Sequence, residues 1–486
     1  MADLYIVDFS IHDVRFPTNL SGDGTDAMNK ECDYSAAYVI LYTGPKGSAA
    51  NKDLNDASAS PRGFGMTFTI GRGNEICCAA IKSLVEHALL GKSVRSLTSD
   101  MGKTWEALVT DCQLRWLGPE KGVIHLASAA AVNAVWDLYA RIEGKPLWLL
   151  IASMSPKELV SIVPFKYISD LVTPAEALAI FEAAEKDKAK RIAELQADGY
   201  PAYTTSAGWS GYDDAKVARL TRSALAQGFN HFKLKVGANL EDDKRRLGLV
   251  RSIVDNPAEI PKGWVRPSEA SVAGKNAGPT GAVVMIDANQ VFDVSEAIDY
   301  ISQLASFKPW FIEEPTSPDD ALGHAAIRKA LLPLGVGVAT GEHAHSRVVF
   351  KQLLQADAID VVQIDSCRLA GPQEVLAVML MARKCGKIVC PHAGGVGLCE
   401  YVQHLSLLDY VCVSTTMERN VLEWVDHLHE HFKDPAKISE KGRYVAPSAP
   451  GYSMEMLASS IEDYTFPTGS YWSKGTARTP PKVEGH

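Results

Sequence analysis

The chain has 486 residues, of which 46% are hydrophobic and 22% are charged. This length exceeds that of most single domains, so the composition favours a folded protein of two domains over a disordered chain. The formal net charge is −9 and no basic stripe runs through the sequence, which argues against nucleic acid as a partner. The nine cysteines lack the spacing of a zinc site and indicate buried thiols in a reducing compartment.

The beginning of the chain shows no targeting signal. It has neither the basic start nor the long apolar core of a signal peptide, and no uninterrupted apolar run is long enough to cross a bilayer. We therefore expect a soluble, cytoplasmic protein without a membrane partner.

The first 155 residues mix strand and helix patterns, which is typical of an α+β domain. Strand-like alternation or helical spacing of apolar residues occurs in residues 4–12, 36–43, 75–92, 101–111 and 124–142. Residues 16–34 are rich in Gly, Asp, Asn and Thr and are expected to form a mobile lid loop. Residues 45–63 are small and polar and predict a surface excursion.

From about residue 156 the pattern changes to short apolar runs that alternate with helical segments. A long charged helix is expected near 173–199, and a second polar excursion spans 256–281. The apolar runs that precede a charged or polar residue are HFKLK, AVVMIDAN, WFIEEP, GVATGE, VVQIDS and KIVCPH. This alternation is typical of parallel strands with helical crossovers, and in a barrel the C-terminal ends of such strands meet at one mouth.

We place domain boundaries near residues 155 and 440. Residues 1–155 then form the α+β domain, residues 156–440 form the barrel, and residues 441–486 form a tail that packs on the surface.

Three carboxylates each end a different strand of this pattern: Asp287, Glu313 and Glu342. Converging carboxylates repel one another unless a cation neutralises them. Ligation by oxygen alone, without Cys or His, suits Mg²⁺. Any one of these acids could be a strand-end or helix cap, but their joint placement favours a metal site.

Two lysines and a carboxylate–histidine pair complete the reactive set. Lys233 and Lys235 flank Leu234, so both side chains point into the barrel. A second ammonium and a divalent cation are expected to lower the lysine pKa toward that of a general base. Asp365 and His392 follow consecutive strands, where the carboxylate can orient the imidazole for acid catalysis.

Arg72 and Arg115 could bind a substrate carboxylate, although exposed arginines without that role are the favoured interpretation.

These residues resemble those of the enolase superfamily, in its mandelate racemase group, of the acid-sugar dehydratase type. The similarity covers nearly the whole chain and includes the KxK pair, EEP, TGE and the helix AVNAVWDLYARIEGKPLW. It extends to segments such as TFTIGRGNE, AYTTSAGW, QIDSCRLAG and PHAGGVGLCE. Within the type, the pattern is similar to dehydratases of L-fuconate and fungal dehydratases of L-galactonate.

The resemblance implies a capping domain at residues 1–155 over a modified (β/α)7β barrel. Residues 16–34 and 67–74 would be the loops that cover the substrate. One Mg²⁺ per active site, a small acid-sugar substrate and a homo-oligomeric assembly are also implied.

The resemblance also assigns roles to residues. Lys235 would remove the proton next to the substrate carboxylate, and His392, oriented by Asp365, would protonate the departing 3-hydroxyl. Lys233 and Glu423 would hold the substrate carboxylate, and Asn289 and His392 would contribute to substrate binding.

The implied function is that of a Mg²⁺-dependent hydro-lyase that converts L-fuconate to 2-keto-3-deoxy-L-fuconate. Three alternatives stay open at the level of sequence. The substrate could be L-galactonate or another aldonate, the reaction could be racemisation or epimerisation of an acid sugar, or the chain could be a catalytically silent binding or regulatory protein.

Overall fold

The structure is a computed structural model that describes residues 3–118, 120–264 and 276–474. The polar excursion 256–281 therefore lies partly outside the described residues. Two sheets dominate: a three-stranded antiparallel sheet at the N-terminus and a larger, mainly parallel sheet built from the rest of the chain.

The N-terminal unit consists of a strand meander followed by helices. Its strands are β1 (Tyr5–Arg15), β2 (Ser35–Gly44) and β3 (Arg62–Thr69), of which the sequence pattern had missed the third. The helices that follow are α1 (Asn74–Ala88), α2 (Val94–Thr98), α3 (Met101–Val109), α4 (Gly122–Ile142), α5 (Leu147–Ala152), α6 (Pro156–Ile162), α7 (Pro174–Glu185) and α8 (Lys188–Asp198). Short 3-10 turns lie at Thr18–Leu20 and Leu114–Trp116.

Helix α4 packs directly on the sheet because β3 presents glycines to it. A side chain at Gly63 or Gly65 would collide with the backbone oxygens of Ala134 or Ala130. Helix α4 is buried almost all round, which is typical of a central core helix. Its Trp136 donates from Nε1 to Gln373 Oε1 at 2.8 Å and so joins the N-terminal unit to the barrel.

Among the described residues, α4 is also the helix with the length and apolar character that a membrane span requires. In this structure 83% of its most apolar stretch is buried inside the protein.

Strands and helices alternate through the described residues from 200 to 424. The elements in order are β4 (Tyr200–Thr204), α9 (Asp214–Ala226), β5 (His231–Lys235), α10 (Leu240–Val254), β6 (Val283–Asp287), α11 (Val294–Leu304), β7 (Phe311–Glu313), α12 (Ala321–Leu331), β8 (Gly337–Thr340), α13 (Arg347–Gln355), β9 (Val361–Val362), α14 (Pro372–Lys384), β10 (Ile388–Val389), α15 (Leu398–Cys412) and β11 (Leu422–Trp424). Further 3-10 turns occur at Ala305–Phe307, Leu332–Leu334 and His429–His431.

The parallel strands form a curled sheet in the order β10-β9-β8-β7-β6-β5-β4-β11. The last strand in sequence thus pairs with the first, with Leu422 opposite Ala202. On the other side, Glu423 N–H donates to the backbone oxygen of Pro391, just beyond β10, at 3.4 Å. Seven strand–helix units followed by an eighth strand confirm the (β/α)7β architecture that the sequence predicted.

The long charged helix expected near 173–199 is wrong, because two helices occupy this region. Asp187 has a φ of 58°, a left-handed conformation through which a helix cannot continue. The guanidinium of Arg191, from the second helix, donates to the backbone oxygens of Ala184 and Lys186 at the end of the first. This buried arginine stabilises the break by satisfying carbonyl groups that a continuous helix would have paired.

The C-terminal segment contains β12 (Arg443–Tyr444), α16 (Ala458–Tyr464) and α17 (Ser470–Ser473). Strand β12 pairs antiparallel with β4. Tyr452 and Met454 are completely buried, and the Tyr452 N–H donates to Asp137 Oδ1, on α4, at 2.6 Å. The segment therefore contacts both the barrel and the N-terminal unit, while the boundaries near 155 and 440 stay predictions.

Candidate active site at the mouth of the barrel

A cavity of about 280 Å³ lies at the C-terminal ends of the barrel strands, beneath two segments of the N-terminal unit. Lid-loop residues between 24 and 34 and residues 68–73, after or at the end of β3, line its outer side. The barrel contributes four residues singled out by their position at strand ends, Lys235, Glu342, Asp365 and His392, and two that the family resemblance implied, Asn289 and Glu423. The structure thus brings together side chains that are far apart in sequence.

The three carboxylates of the expected metal site converge. Asp287 and Glu313 are the last residues of β6 and β7, and Glu342 follows β8 by two residues. One oxygen from each lies within 4.8 Å of the others, and all three residues are buried. Glu313 Oε1 and Glu342 Oε2 accept no hydrogen bond from the described part of the chain. Burial and the neighbouring Asp287 raise the pKa of Glu313 well above its usual value. These oxygens are buried, repel one another and include two without a hydrogen bond from the described residues. They form a metal-binding triad that fits a hard divalent cation.

The two lysines have different environments although both point into the barrel. Lys233 Nζ lies 2.6 Å from Glu313 Oε2 and 3.0 Å from Glu423 Oε1, and its side chain is completely buried behind the cavity wall. Lys235 lines the cavity, with Nζ 2.5 Å from Asp287 Oδ2. Lys235 is therefore accessible to a ligand in the cavity, whereas Lys233 holds carboxylates in place. The expected contact of Lys233 with a substrate carboxylate stays a prediction.

The expected lowering of the lysine pKa assumes a bound divalent cation and stays a prediction, and in the protein chain alone the direction is the opposite. Burial acts to lower the pKa of Lys235, but the carboxylate of Asp287 outweighs burial and the nearby ammonium of Lys233, so the net direction is upward. The sequence shows the second ammonium but does not show how close Asp287 lies to Lys235. A cation at the triad would compensate that carboxylate and reverse the balance.

Asp365 and His392 form the expected pair. His392 Nδ1 lies 2.8 Å from Asp365 Oδ2, and its Nε2 accepts a hydrogen bond from the Gly394 N–H at 3.1 Å. Burial lowers the pKa of His392, but Glu342 and Asp365 raise it more, to about 9. The other oxygen of Asp365 accepts the N–H groups of Cys367 and Arg368 at 2.8 and 2.7 Å, which fixes the carboxylate relative to the strand end.

Glu423, on β11, faces the same cavity. The Ala393 N–H donates to its Oε2 at 2.8 Å, and the Thr205 hydroxyl donates to its Oε1. Burial raises the pKa of Glu423, yet Lys233 and His392 lower it more, to about 2, so the side chain is ionised. An ionised carboxylate repels a substrate carboxylate. An ionised Glu423 is suited to accept a hydrogen bond from a substrate hydroxyl, and its expected role in holding the substrate carboxylate stays a prediction.

Asn289 lies between two of the triad acids. Its backbone N–H donates to Asp287 Oδ1 at 3.0 Å, and its side-chain amide lies 3.5 Å from Glu342 Oε1. Its own side-chain oxygen is buried and accepts no hydrogen bond from the described residues. This free oxygen is compatible with the predicted role in substrate binding.

Several lining residues escaped the sequence analysis. His343 Nδ1 lies 3.0 Å from Glu314 Oε1 and 3.3 Å from Glu342 Oε1, so the residues that follow two triad members also contact each other. Their adjacency to Glu313 and Glu342 in the EEP and TGE motifs was the available signal. Arg72 lines the cavity edge, whereas Arg115 is exposed and lies outside the lining.

The fold and the site together define a barrel enzyme that carries a divalent-cation triad between a lysine and a histidine. The family model described as "Enolase C-terminal domain-like" matches residues 267–460. A relative named L-galactonate dehydratase, from Hypocrea jecorina, is 52% identical over 481 residues, covering 98% of this chain and 98% of the relative. The chain belongs to the enolase superfamily and, within it, to the family of acid-sugar dehydratases, which are hydro-lyases.

Solved structures share the fold of this chain. The crystal structure of human mitochondrial enolase superfamily member 1 is 47% identical, covers 98% of this chain and 100% of that chain, and superposes with a TM-score of 0.87. L-Talarate dehydratase from Polaromonas sp. JS666, complexed with Mg and L-glucarate, gives a TM-score of 0.64 at 20% identity, covering 95% of this chain and 97% of that chain. The latter shows a shared fold.

Proposed function

We propose that the protein dehydrates a six-carbon aldonate, L-galactonate, to the corresponding 2-keto-3-deoxy acid with the help of Mg²⁺. The observation that carries the proposal is the placement of Lys235 and His392 in one cavity with Glu342 of the metal triad. The relative that is named for L-galactonate supports this substrate. L-Fuconate, the substrate first predicted from the sequence, differs only in a methyl group at carbon six and is the second candidate. A small change in the cavity wall would discriminate the two.

The residues of the chain divide the reaction between them. Lys235 takes the proton from the carbon next to the carboxylate, and His392 gives a proton to the departing 3-hydroxyl. Asp365 orients the imidazole, while Lys233 holds Glu313 and Glu423 in position. When bound at the triad, a divalent cation supplies the positive charge that makes so weak a carbon acid reactive and offsets the carboxylate of Asp287.

The alternative reactions make different products from the same residues. If a group at the cavity returns a proton to the reacting carbon instead of expelling the hydroxyl, the enzyme is a racemase or epimerase. A silent binding protein would leave the acid unchanged. Retention of the triad, Lys235 and the Asp365–His392 pair favours an active enzyme.

The test is a screen of the purified protein with Mg²⁺ against a library of acid sugars, with 2-keto-3-deoxy products detected as semicarbazones. We expect turnover of L-galactonate that EDTA abolishes and added Mg²⁺ restores. Relative rates on L-fuconate and L-galactonate decide the substrate. Silence across the library with a folded, metal-loaded protein would contradict the proposal, and epimerised acid without keto product would favour the racemase.

We also propose one Mg²⁺ per chain, a homo-oligomer and a cytoplasmic location. Metal analysis of dialysed protein gives the first quantity, and light scattering coupled to gel filtration gives the second. Fractionation of the source cells, with activity followed in each fraction, tests the third.

A further inference from the structure

Arg368 lies at the cavity wall and is held there at two points. It belongs to the loop between β9 and α14, and its backbone N–H donates to Asp365 Oδ1 at 2.7 Å. Its Nε donates to the backbone oxygen of Glu342 at 3.2 Å. The side chain is therefore anchored between the loop that orients His392 and the loop that carries a triad member.

The two terminal nitrogens of Arg368 are unused. Within residues 3–118, 120–264 and 276–474 they make no hydrogen bond, and no carboxylate lies within ion-pair distance of them. The residue is half-buried and is one of those that line the cavity. A guanidinium presents its N–H donors in a fixed planar fork, and anchoring reduces the entropy lost when those donors meet a ligand.

The charge of Arg368 reaches from the triad toward the N-terminal unit. Burial raises the pKa of the Cys77 thiol to about 11, and Arg368 is the largest opposing influence on it. Cys77 lies on α1 and lines the same cavity. A sugar acid with its carboxylate at the triad would extend its carbon chain along this wall.

The other charged groups at this end of the cavity are less suited to the task. Both carboxylate oxygens of Asp26 accept hydrogen bonds from its own loop. Oδ1 accepts from the N–H groups of Met28 and Asn29, and Oδ2 accepts from the side-chain amide of Asn29 at 3.0 Å. Arg72 is exposed and stands at the edge, shared with a neighbouring groove. Arg368 combines an anchored position with free donors.

From these observations we propose that Arg368 determines substrate specificity by donating hydrogen bonds to the distal hydroxyl oxygens of a bound sugar acid, on carbons four to six. The inference rests on the proposed function for the class of ligand, and it adds the residue that distinguishes long from short acids. Arg368 does not move a proton in the reaction. Its contribution is to binding of the part of the substrate farthest from the triad.

The test pairs a change in the protein with a change in ligand length. Binding is measured by titration calorimetry with Mg²⁺ in a Lys235→Met background, which prevents turnover. The ligands are L-galactonate and a four-carbon aldonate with the same configuration at carbons two and three. Variants in that background are Arg368→Met, Arg368→Lys, which keeps the charge without the planar fork, and the exposed Arg115→Met as matched control.

We expect Arg368→Met to weaken binding of the six-carbon acid by about tenfold to a hundredfold, the range for hydrogen bonds from a charged donor. Binding of the four-carbon acid should change less than about threefold, Arg368→Lys should fall between, and Arg115→Met should match the background. Equal losses for both ligands, no loss, or no binding by the background protein would each overturn the proposal.

The same variants with Lys235 intact separate this proposal from the proposed function. Length-dependent loss of binding without keto product from any acid would retain Arg368 and reject the dehydratase. If keto product forms and the Arg368 variants discriminate between long and short acids as before, the dehydratase function is retained and the specificity role of Arg368 is rejected.

Discussion

At the scale of single residues, two lysines that the sequence treats alike have different tasks. Lys233 and Lys235 share one face of β5, yet one is enclosed by carboxylates and the other borders the cavity. The difference comes from depth along the strand, because Lys235 ends it and Lys233 lies one pleat deeper. Of the two lysines, Lys235 lines the cavity at the mouth of the barrel.

Replacing Lys235 by Met should lower the dehydration rate by roughly a hundredfold to ten-thousandfold, because the base that takes the proton is lost. The semicarbazone assay measures the rate, and circular dichroism checks the fold. Lys103→Met, at a surface position 83% exposed, is the matched control and should retain full activity. Undiminished activity in Lys235→Met would remove Lys235 from the role of base.

Replacing His392 by Asn should abolish elimination while Lys235 still removes and returns the proton next to the carboxylate. In deuterated water we expect NMR to show exchange at carbon two without keto product. Loss of both exchange and elimination would mean that His392 takes part in the first step as well.

At the scale of elements, the lid loop docks on the loop between β4 and α9. The Tyr212 hydroxyl donates to Asp23, and the Gly211 N–H donates to Thr25 Oγ1 at 3.1 Å. The Lys216 ammonium donates to the backbone oxygen of Ser21 at 3.3 Å. These contacts connect the segment over the cavity to the barrel, so the lid is held by the barrel as well as by its own sheet.

Tyr212→Phe should loosen this docking and raise KM for the aldonate by roughly threefold to tenfold, since one hydrogen bond contributes about 1 kcal/mol. The chemical step should change less, because no reacting group is touched. Steady-state kinetics with L-galactonate separates the two quantities. The exposed Tyr167→Phe is the control, and an unchanged KM in Tyr212→Phe would show that the hydroxyl does not hold the lid.

At the scale of the whole molecule, a buried ionic network joins the N-terminal unit to the barrel. Glu374, on α14, accepts hydrogen bonds from His125 Nε2 on α4 at 2.7 Å and from Arg347 Nη1 on α13 at 3.1 Å. Arg347 also contacts Glu120 at 2.7 Å. Since the N-terminal unit closes the cavity and the barrel supplies the reactive groups, this junction sets their relative position.

Glu374→Gln should destabilise the protein by about 3 kcal/mol, because the buried Arg347 would lose the carboxylate of Glu374 and keep that of Glu120. Denaturant unfolding measures the loss, and the exposed Glu241→Gln serves as the control. A loss below about 1 kcal/mol would show that the network contributes little to holding the two parts together.

The same residue predicts a pH dependence. Burial raises the pKa of Glu374, but His125 and Arg347 lower it more, to about 2. A carboxyl with a lowered pKa in the folded state stabilises the protein above its unfolded pKa, near 4.5. The free energy of unfolding should therefore fall as pH decreases from about 4.5 toward 2, and the decrease should be smaller in Glu374→Gln.

The sequence by itself determined the order of the barrel strands and the residues at their ends. Alternating strand and helix patterns depend on nearby residues, and a parallel barrel converts position at a strand end into position at the mouth. Asp287, Glu313, Glu342, Asp365 and His392 could be found for that reason. The third strand of the N-terminal sheet was missed because its glycines are explained only by the helix lying on them.

Only the tertiary structure decided the properties that depend on distance between remote residues. The upward pKa shift of Lys235 requires Asp287 at 2.5 Å, the break before α8 requires Arg191 against the end of α7, and the free donors of Arg368 require the cavity. Electrostatic interaction and hydrogen bonding change steeply over a few ångströms, and sequence spacing does not contain those distances. Local patterns thus located the reactive groups, while folding decided how each is charged, held and exposed.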